Sequence, residues 1–260
     1  MTDAISPILR TNKLSIKIGD KLICNELNLN IGHGQCWAIL GCNGSGKTTF
    51  LQTLAGLREA QSGEVVLNGQ PLKQYSRLKI ARLIGVLHQQ QEDPFPASVY
   101  DTVLRGRHPH LHAWQWENQH DHELTTQALD FVRLRELADR NIQTLSGGER
   151  QRIAIAELLA QDPQLALLDE PSNHLDLHHR ITTITELAAR FTKQDKTVCM
   201  VLHDINLAAR VADHCLLMLG NGEILSGPAT EVLTTESLEA LYQYPLQQLE
   251  PDNGRAWIPR

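Results

Sequence analysis

The stretch Gly41-Cys42-Asn43-Gly44-Ser45-Gly46-Lys47-Thr48 decides how the rest of this chain is read. It fits the spacing G-x-x-x-x-G-K-[ST], with the apolar run QCWAIL before it and the helix-like FLQTLAGL after it. A strand, a glycine turn and a helix therefore follow one another. Glycines in such a turn let successive backbone N–H groups curl around phosphate oxygens, and the helix start behind them adds partial positive charge. Lys47 is expected to reach the β- and γ-phosphates of a nucleotide, and the Thr48 hydroxyl to take a Mg²⁺ position. A chance glycine turn would not explain a strand on one side and a helix on the other. Cys42 lies inside the turn, where alkylation would block a nucleotide by size.

Outward from that turn, the first thirty residues alternate. Leu14, Ile16 and Ile18 are expected to share one face, Gly19-Asp20 to turn the chain, and Leu27, Leu29 and Ile31 to repeat the pattern. These read as half-buried antiparallel strands. Downstream, QLALLDE (Gln164–Glu170) and TVCMVLHD (Thr197–Asp204) read as buried strands. Ile181, Ile184, Leu187, Ala188 and Phe191 recur between them at helical spacing. That strand–helix–strand unit implies a parallel sheet. Asn221-Gly222 between two apolar stretches signals a hairpin. From about Pro94 to Gln161 the pattern is helical, with Leu124, Ala128, Phe131 and Val132 on one stripe and Ile153, Ala156, Leu159 and Ala160 on another. The fold class is thus α/β, with an antiparallel N-terminal part and an inserted helical subdomain.

Composition bounds the function. The chain has 260 residues, 42% hydrophobic and 21% charged, enough to bury a core and against disorder. Net charge is −6, so no basic excess exists to hold a nucleic-acid backbone. Five cysteines without a C-x-x-C pair fit a reducing compartment. The start MTDAISPILRTNK has no apolar signal region, and no apolar run approaches the roughly 18 residues of a membrane span.

Two further motifs carry chemistry. Leu167-Leu168-Asp169-Glu170-Pro171 delivers adjacent carboxylates at the end of a hydrophobic strand, where ligands bind in open α/β sheets. Asp169 would hold Mg²⁺ through water and Glu170 would polarise an attacking water. A solvated Asp-Glu turn is the plain alternative, outweighed by the glycine turn upstream. Leu145-Ser146-Gly147-Gly148-Glu149-Arg150-Gln151-Arg152 opens an amphipathic helix with two glycines, a second device for holding an anion. One nucleotide needs only one such device, which points to a neighbouring subunit's nucleotide as the second ligand.

Taken with SNHLD (Ser172–Asp176) and His203 after the last buried strand, these motifs resemble the nucleotide-binding subunit of ATP-binding cassette transporters, from about Ile8 to Leu233. The resemblance implies a P-loop NTPase core with a RecA-like mixed sheet, spanning 1–93 and 162–240. It also implies a helical subdomain at 94–161 carrying the octet, and a C-terminal tail at 241–260. It implies a homodimer sandwiching two ATP molecules head to tail. Gly41, Asn43, Gly44, Ser45, Gly46, Lys47, Thr48 and Thr49 would bind one ATP, and Ser146, Gly147 and Gly148 of the second copy would close on its γ-phosphate. Gln89 in VLHQQQ matches the glutamine that touches Mg²⁺ or the lytic water, with Gln90 and Gln91 as neighbouring registers. Glu170 matches the general base, Asp176 the interface aspartate and His203 the γ-phosphate sensor. Mg²⁺ would sit among Thr48, Gln89 and Asp169.

One departure concerns the base of the nucleotide. The family often stacks adenine on an aromatic residue just before the hairpin glycine, and here that place is Ile18. Stacking worth about 0.5–1.5 kcal/mol is lost, so GTP is expected to substitute for ATP. The segment GRHPH (Gly106–His110), after VYDTV, is similar to importers of ferric siderophores, cobalamin and heme. That implies two separate integral membrane permease subunits, a substrate-binding protein, and a peripheral position on the cytoplasmic face of the inner membrane. A soluble member acting on ribosomes or DNA, or an exporter motor, is the alternative. The first would need a second cassette or long insertions that this chain lacks. His108, His110, His112, His120 and His122 also raise a metal site facing one ion from an extended segment, against a polar surface loop.

Overall fold

The computed structural model describes residues 7–89, 96–112, 114–250 and 255–260. They form two compact units, one ending at Tyr75 and resuming at Thr185, the other Ser76–Ile184.

In the first unit, β1 (Leu9–Ile18), β2 (Lys21–Leu27) and β3 (Asn30–Ile31) precede β4 (Cys36–Gly41), α1 (Lys47–Leu54), β5 (Ser62–Leu67) and β6 (Gln70–Pro71). β1 pairs antiparallel with β2, β3 and β5, as the alternation predicts. Its last residue departs from the prediction. Leu14 and Ile16 are buried, but Ile18 is 37% exposed. The β1–β2 register shifts between Leu14 and Ile16 and again before Lys17. Both extra residues lie in β2, so β1 keeps its own alternation; Ile18 is exposed because it ends the strand at the hairpin, where covering neighbours run out. The hairpin closes on two residues, with Gly19 at φ +56.

The second unit holds α2 (Arg77–Leu83), β7 (Ile84–Leu87), α3 (Val99–Leu104), α4 (Gln119–Phe131), α5 (Gly147–Gln161) and β8 (Leu165–Asp169). β7 and β8 pair in parallel, Leu87 opposite Leu168. The predicted start near Pro94 lies outside the described residues, as do Gln90 and Gln91. On α5 the expected Ile153, Ala156, Leu159 and Ala160 are buried, and so are Ala154, Ile155 and Leu158. Wrapped by α3, α4 and β7, this helix has little free face. On α4 the buried stripe is shifted. Asp121, Thr125, Ala128, Leu129 and Val132 face inward, while Leu124 and Phe131 are half-buried. The cause is a buried ion pair, Arg107 Nε to Asp121 Oδ1 at 2.8 Å. Burial pushes the Asp121 carboxyl up, but the Asn118 N–H and the Arg107 guanidinium outweigh it and hold it below its ordinary value.

α6 (Leu177–Lys193) leads to β9 (Thr197–Val201), α7 (Ile205–Val211), β10 (His214–Gly220), β11 (Glu223–Pro228), α8 (Ala229–Val232), α9 (Thr235–Tyr242), β12 (Leu246–Leu249) and β13 (Ala256–Pro259). Within the first unit these give the strand order β11-β10-β4-β9, parallel except for the β10–β11 hairpin. Asn221 and Gly222 both take positive φ, as a type I′ turn requires. β4 is buried along its whole length because it is flanked on both sides, which is why its sequence is an unbroken apolar run. Both halves of the expected α/β class are present: a mixed sheet with helices and an antiparallel N-terminal part. All five cysteines are free thiols, and only Cys42 is exposed. Burial pushes the thiols of Cys24 and Cys215 up to about 11 and about 12, leaving them inert at neutral pH.

Candidate active site

Register explains which residues meet. β4 and β9 run in parallel, with Ile39 opposite Val201 and the Leu202 N–H donating to the Ile39 carbonyl at 3.1 Å. The phosphate turn that begins at Gly41 and His203, one residue past Leu202, therefore leave the sheet at the same edge. In the second unit, Leu87 lies opposite Leu168, so Gln89 and Glu170 leave β7 and β8 together. Gln89 Nε2 donates to Glu170 Oε2 at 3.0 Å.

The phosphate turn is built to leave backbone groups open. Gly46 caps α1 at φ +106 with no side-chain cap, and no acidic residue occupies the first turn of the helix. A Cβ on Gly46 would meet Ile23 Cδ1 at 2.5 Å, and one on Gly41 would meet Ser45 Oγ at 2.6 Å. Lys47 is buried, and its Nζ donates to the carbonyls of Gly41 at 2.8 Å and Cys42 at 3.1 Å. Ser45 Oγ is buried with no hydrogen-bond partner among the described residues. A buried hydroxyl left so costs about 1–3 kcal/mol, and an anionic oxygen is the group that would satisfy it. Asn43 and Gly44 are exposed at the rim of the turn, Thr48 is half-buried and Thr49 is buried. The hairpin reaches the turn as well: Lys21 Nζ donates to the Gly44 carbonyl at 2.5 Å. The sequence reading placed Ile18 here and missed Lys21, although a cation beside the hairpin turn was its available signal.

The carboxylate edge is strained. Asp169 ends β8 with 4% exposure, and Glu170 takes φ +54. Such a backbone costs about 1–3 kcal/mol in a residue with a side chain, and it swings Glu170 out of the strand line. Asn173 Nδ2 also donates to Glu170 Oε2, so two amides hold the carboxylate. In the sequence Asn173 stands out only as part of SNHLD.

The octet Leu145–Arg152 straddles the start of α5. Ser146 Oγ accepts from the Glu149 N–H at 3.3 Å, while Glu149 Oε2 accepts from the Ser146 N–H at 2.8 Å and from its hydroxyl at 2.7 Å. This is a full capping box. The Ser146 N–H first, and then its hydroxyl, hold the Glu149 carboxyl below its ordinary value. His174, at φ +63, lies over the two glycines: a Cβ on Gly148 would meet its carbonyl oxygen at 2.9 Å. Asp176 accepts from His179, through the backbone N–H at 2.9 Å and the ring Nδ1 at 2.8 Å, which lowers its carboxyl in that order.

The histidine-rich segment is not an extended strand facing one ion. Residues Arg105–His110 form a 3₁₀ helix, and no group of three His, Cys, Asp or Glu side chains among the described residues suits a metal. Arg107 is drawn inward to Asp121 and to the carbonyls of Ala160 and Gln161. His110 Nε2 contacts the Gln161 carbonyl at 2.8 Å.

The ABC transporter family profile matches residues 24–173. The chain belongs to this family. It is 37% identical over 236 residues to the iron(3+)-hydroxamate import ATP-binding protein of Bacillus subtilis, covering 90% of this chain and 87% of that one. It is 35% identical over 241 residues to the hemin import ATP-binding protein of Escherichia coli, covering 90% and 92%. Among solved structures, one described as a metal-chelate type ABC transporter, in an inward-facing conformation, superposes with TM-score 0.83 at 31% identity over 97% of both chains. A post-hydrolysis dimer of an ATP-binding cassette with ADP and phosphate superposes with TM-score 0.73 at 26% identity, over 85% of this chain and 98% of that one. As an ABC transporter ATP-binding subunit, this chain binds ATP and hydrolyses it to drive transport. No helix among its described residues is long and apolar enough to cross a membrane.

Proposed function

We propose that this cassette powers import of a metal chelate or corrinoid, such as a ferric siderophore, heme or cobalamin. The single observation that carries the reading is a cleft in the second unit lined by His88, the residue next to Gln89, and by the chelate-importer-like stretch, while Gln89 itself pairs with Glu170. The cleft encloses about 280 Å³ and is lined by Val86, His88, Arg105, Gly106, Pro109 and Glu157. His88 adjoins Gln89, and Arg105, Gly106 and Pro109 come from the stretch that resembles chelate importers. A segment of a membrane permease seated there would feel any shift of Gln89. The import relatives support the direction and class of cargo.

In this reading two copies of the chain join two permease subunits, served by a substrate-binding protein, on the cytoplasmic face of the inner membrane. No nucleic acid takes part. The helical subdomain at 94–161 carries the permease contact, the core at 1–93 and 162–240 carries the nucleotide, and 241–260 is a tail. Gly41, Asn43, Gly44, Ser45, Gly46, Lys47, Thr48 and Thr49 hold the phosphates. Ser146, Gly147 and Gly148 close on the second copy's γ-phosphate, Asp176 crosses to it and His203 senses it. Glu170, oriented by Gln89 and Asn173, takes the proton of the attacking water. The oxygen donors Thr48, Gln89 and Asp169 suit Mg²⁺, a hard cation that prefers such ligands. Bound there, it would neutralise charge developing on the phosphoryl oxygens. Differential affinity for ATP and ADP then drives the dimer between closed and open.

The test uses Glu170→Gln, which should retain ATP but lose turnover by about 10²–10⁴-fold. Tagged and extracted from host membranes with ATP present, it should carry a stoichiometric hydrophobic partner. A homodimer found only in the soluble fraction, or ribosomes or DNA in its place, would overturn the transport reading.

A further inference from the structure

The C-terminal segment, to which the sequence alone assigns no chemistry, touches the first unit's part of the site at two points. At the phosphate turn, Cys42 Sγ donates to the carbonyl of Leu241 in α9 at 3.1 Å. Behind His203, Asn206 in the first turn of α7 grips β13 with both ends of its amide. The Trp257 N–H donates to Asn206 Oδ1 at 2.8 Å, and Asn206 Nδ2 donates to the Trp257 carbonyl at 3.2 Å. The side chain thus does for residue 257 what a neighbouring strand would do. Trp257 is buried, which anchors the far side of the grip.

The same residue is tied to His203 through its backbone. The N–H groups of Asn206 and Leu207 both donate to Asp204 Oδ1, at 2.9 and 3.0 Å. Asp204 is the cap of α7 and the residue next to His203. α7 has only seven residues, too few to hold its first turn by its own hydrogen bonds. The circuit then closes: β13 pairs with β12, and the Leu246 N–H at the start of β12 donates to Glu239 Oε1 in α9 at 2.7 Å. Phosphate turn, α9, the C-terminal hairpin, α7 and the His203 segment form one chain of contacts.

We infer that the C-terminal hairpin fixes the helix start behind His203, and that Asn206 is a positioning residue for that histidine. The inference rests on the reading of His203 as the γ-phosphate sensor. Loss of the grip leaves the imidazole present but lets its backbone wander, so the effect falls on turnover and not on nucleotide affinity.

The experiment measures ATPase turnover and ATP affinity of the full chain for Asn206→Ala, His203→Ala and the double variant. Asn206→Ala is expected to lower kcat about five- to tenfold with the Kd for ATP within twofold of the parent. In the His203→Ala background, Asn206→Ala should add nothing, because both act through one imidazole. Asn206→Asp keeps the acceptor for the Trp257 N–H and loses the donor, so its kcat should fall between the two. An unchanged kcat with a lowered melting temperature would overturn the inference and leave the hairpin structural. An equal drop in the His203→Ala background would overturn it too, by placing the effect elsewhere. If His203→Ala itself turned over at the parent rate, the sensor reading would fail first and take the positioning role with it.

Discussion

Two glycine-rich turns open helices in this protein, and they are finished differently. At Gly41–Thr49 the helix start has no side-chain cap and no acidic residue, and a lysine lies buried against the turn. At Ser146–Gly148 the helix start is already capped, by a serine and a carboxylate that satisfy each other. The first turn leaves its helix end uncapped, the arrangement the proposed phosphate site requires. The second already carries a negative charge at the helix's positive end. An anion meeting Gly147 and Gly148 does so against Glu149, and holds only when other contacts bring it there. In the proposed cycle, that difference would let ATP be held at the first turn before the second closes on it.

Breaking the first turn should have the largest effect. Lys47→Ala removes a buried cation from phosphate oxygens, a loss of about 2–5 kcal/mol, or about thirtyfold or more in Kd for ATP by calorimetry. Binding within threefold of the parent would erase the distinction between the turns. Gly148→Ala attacks the second turn alone, since its Cβ would sit 2.9 Å from a backbone oxygen that cannot move cheaply. ATP should still bind each chain within twofold, while kcat falls about a hundredfold as donors to the γ-phosphate shift. A parallel loss of ATP affinity would show that the turns do not act separately.

Finer changes sharpen the contrast. Ile18→Tyr should restore stacking on adenine and tighten ATP by about 0.5–1.5 kcal/mol, or about two- to twelvefold. The parent chain should accept GTP nearly as well as ATP, and a competition assay with a hundredfold preference for ATP would refute that. Glu149→Gln keeps the capping geometry without the charge. ATP-dependent association in the Glu170→Gln background should tighten by about 0.3–1 kcal/mol, less at high salt. The Ser146 bonds hold the Glu149 carboxyl below its ordinary value, so this gain should persist down to about pH 5 and vanish only in stronger acid. By the same sign, the cap's contribution to stability is complete above the ordinary carboxylate range. It is lost as the pH falls through the lowered value.

Much of the site could be read from spacing, because phosphate chemistry demands glycine, lysine and carboxylate at fixed intervals. The Gly41–Thr48 turn, Asp169-Glu170 and Ser146–Gly148 each carry their reason in the residues themselves. The side chains that hold them do not. Asn173 beside Glu170, Lys21 beside Gly44 and His174 over Gly148 are ordinary polar residues whose partners are distant in sequence or folded back by a turn. Arg107 and Asp121 are buried as a pair, and nothing in a single sequence says that two charges will be buried together. Ile18 read as part of an alternating face because period two says which side a residue points to but not where the covering core ends, and Ile18 is the last β1 residue before the hairpin turn.

The sequence by itself determined the α/β class and the nucleotide, and supplied the residues proposed to face it, since backbone curvature and helix starts are local properties that a few adjacent residues impose. Only the tertiary structure decided what positions those residues. Gln89 meets Glu170 because β7 and β8 pair in parallel with Leu87 opposite Leu168, and Asn206 reaches Trp257 because a C-terminal strand returns to α7. Such partners are fixed by strand register and chain return, which depend on the packing of the whole core and leave no mark on neighbouring residues.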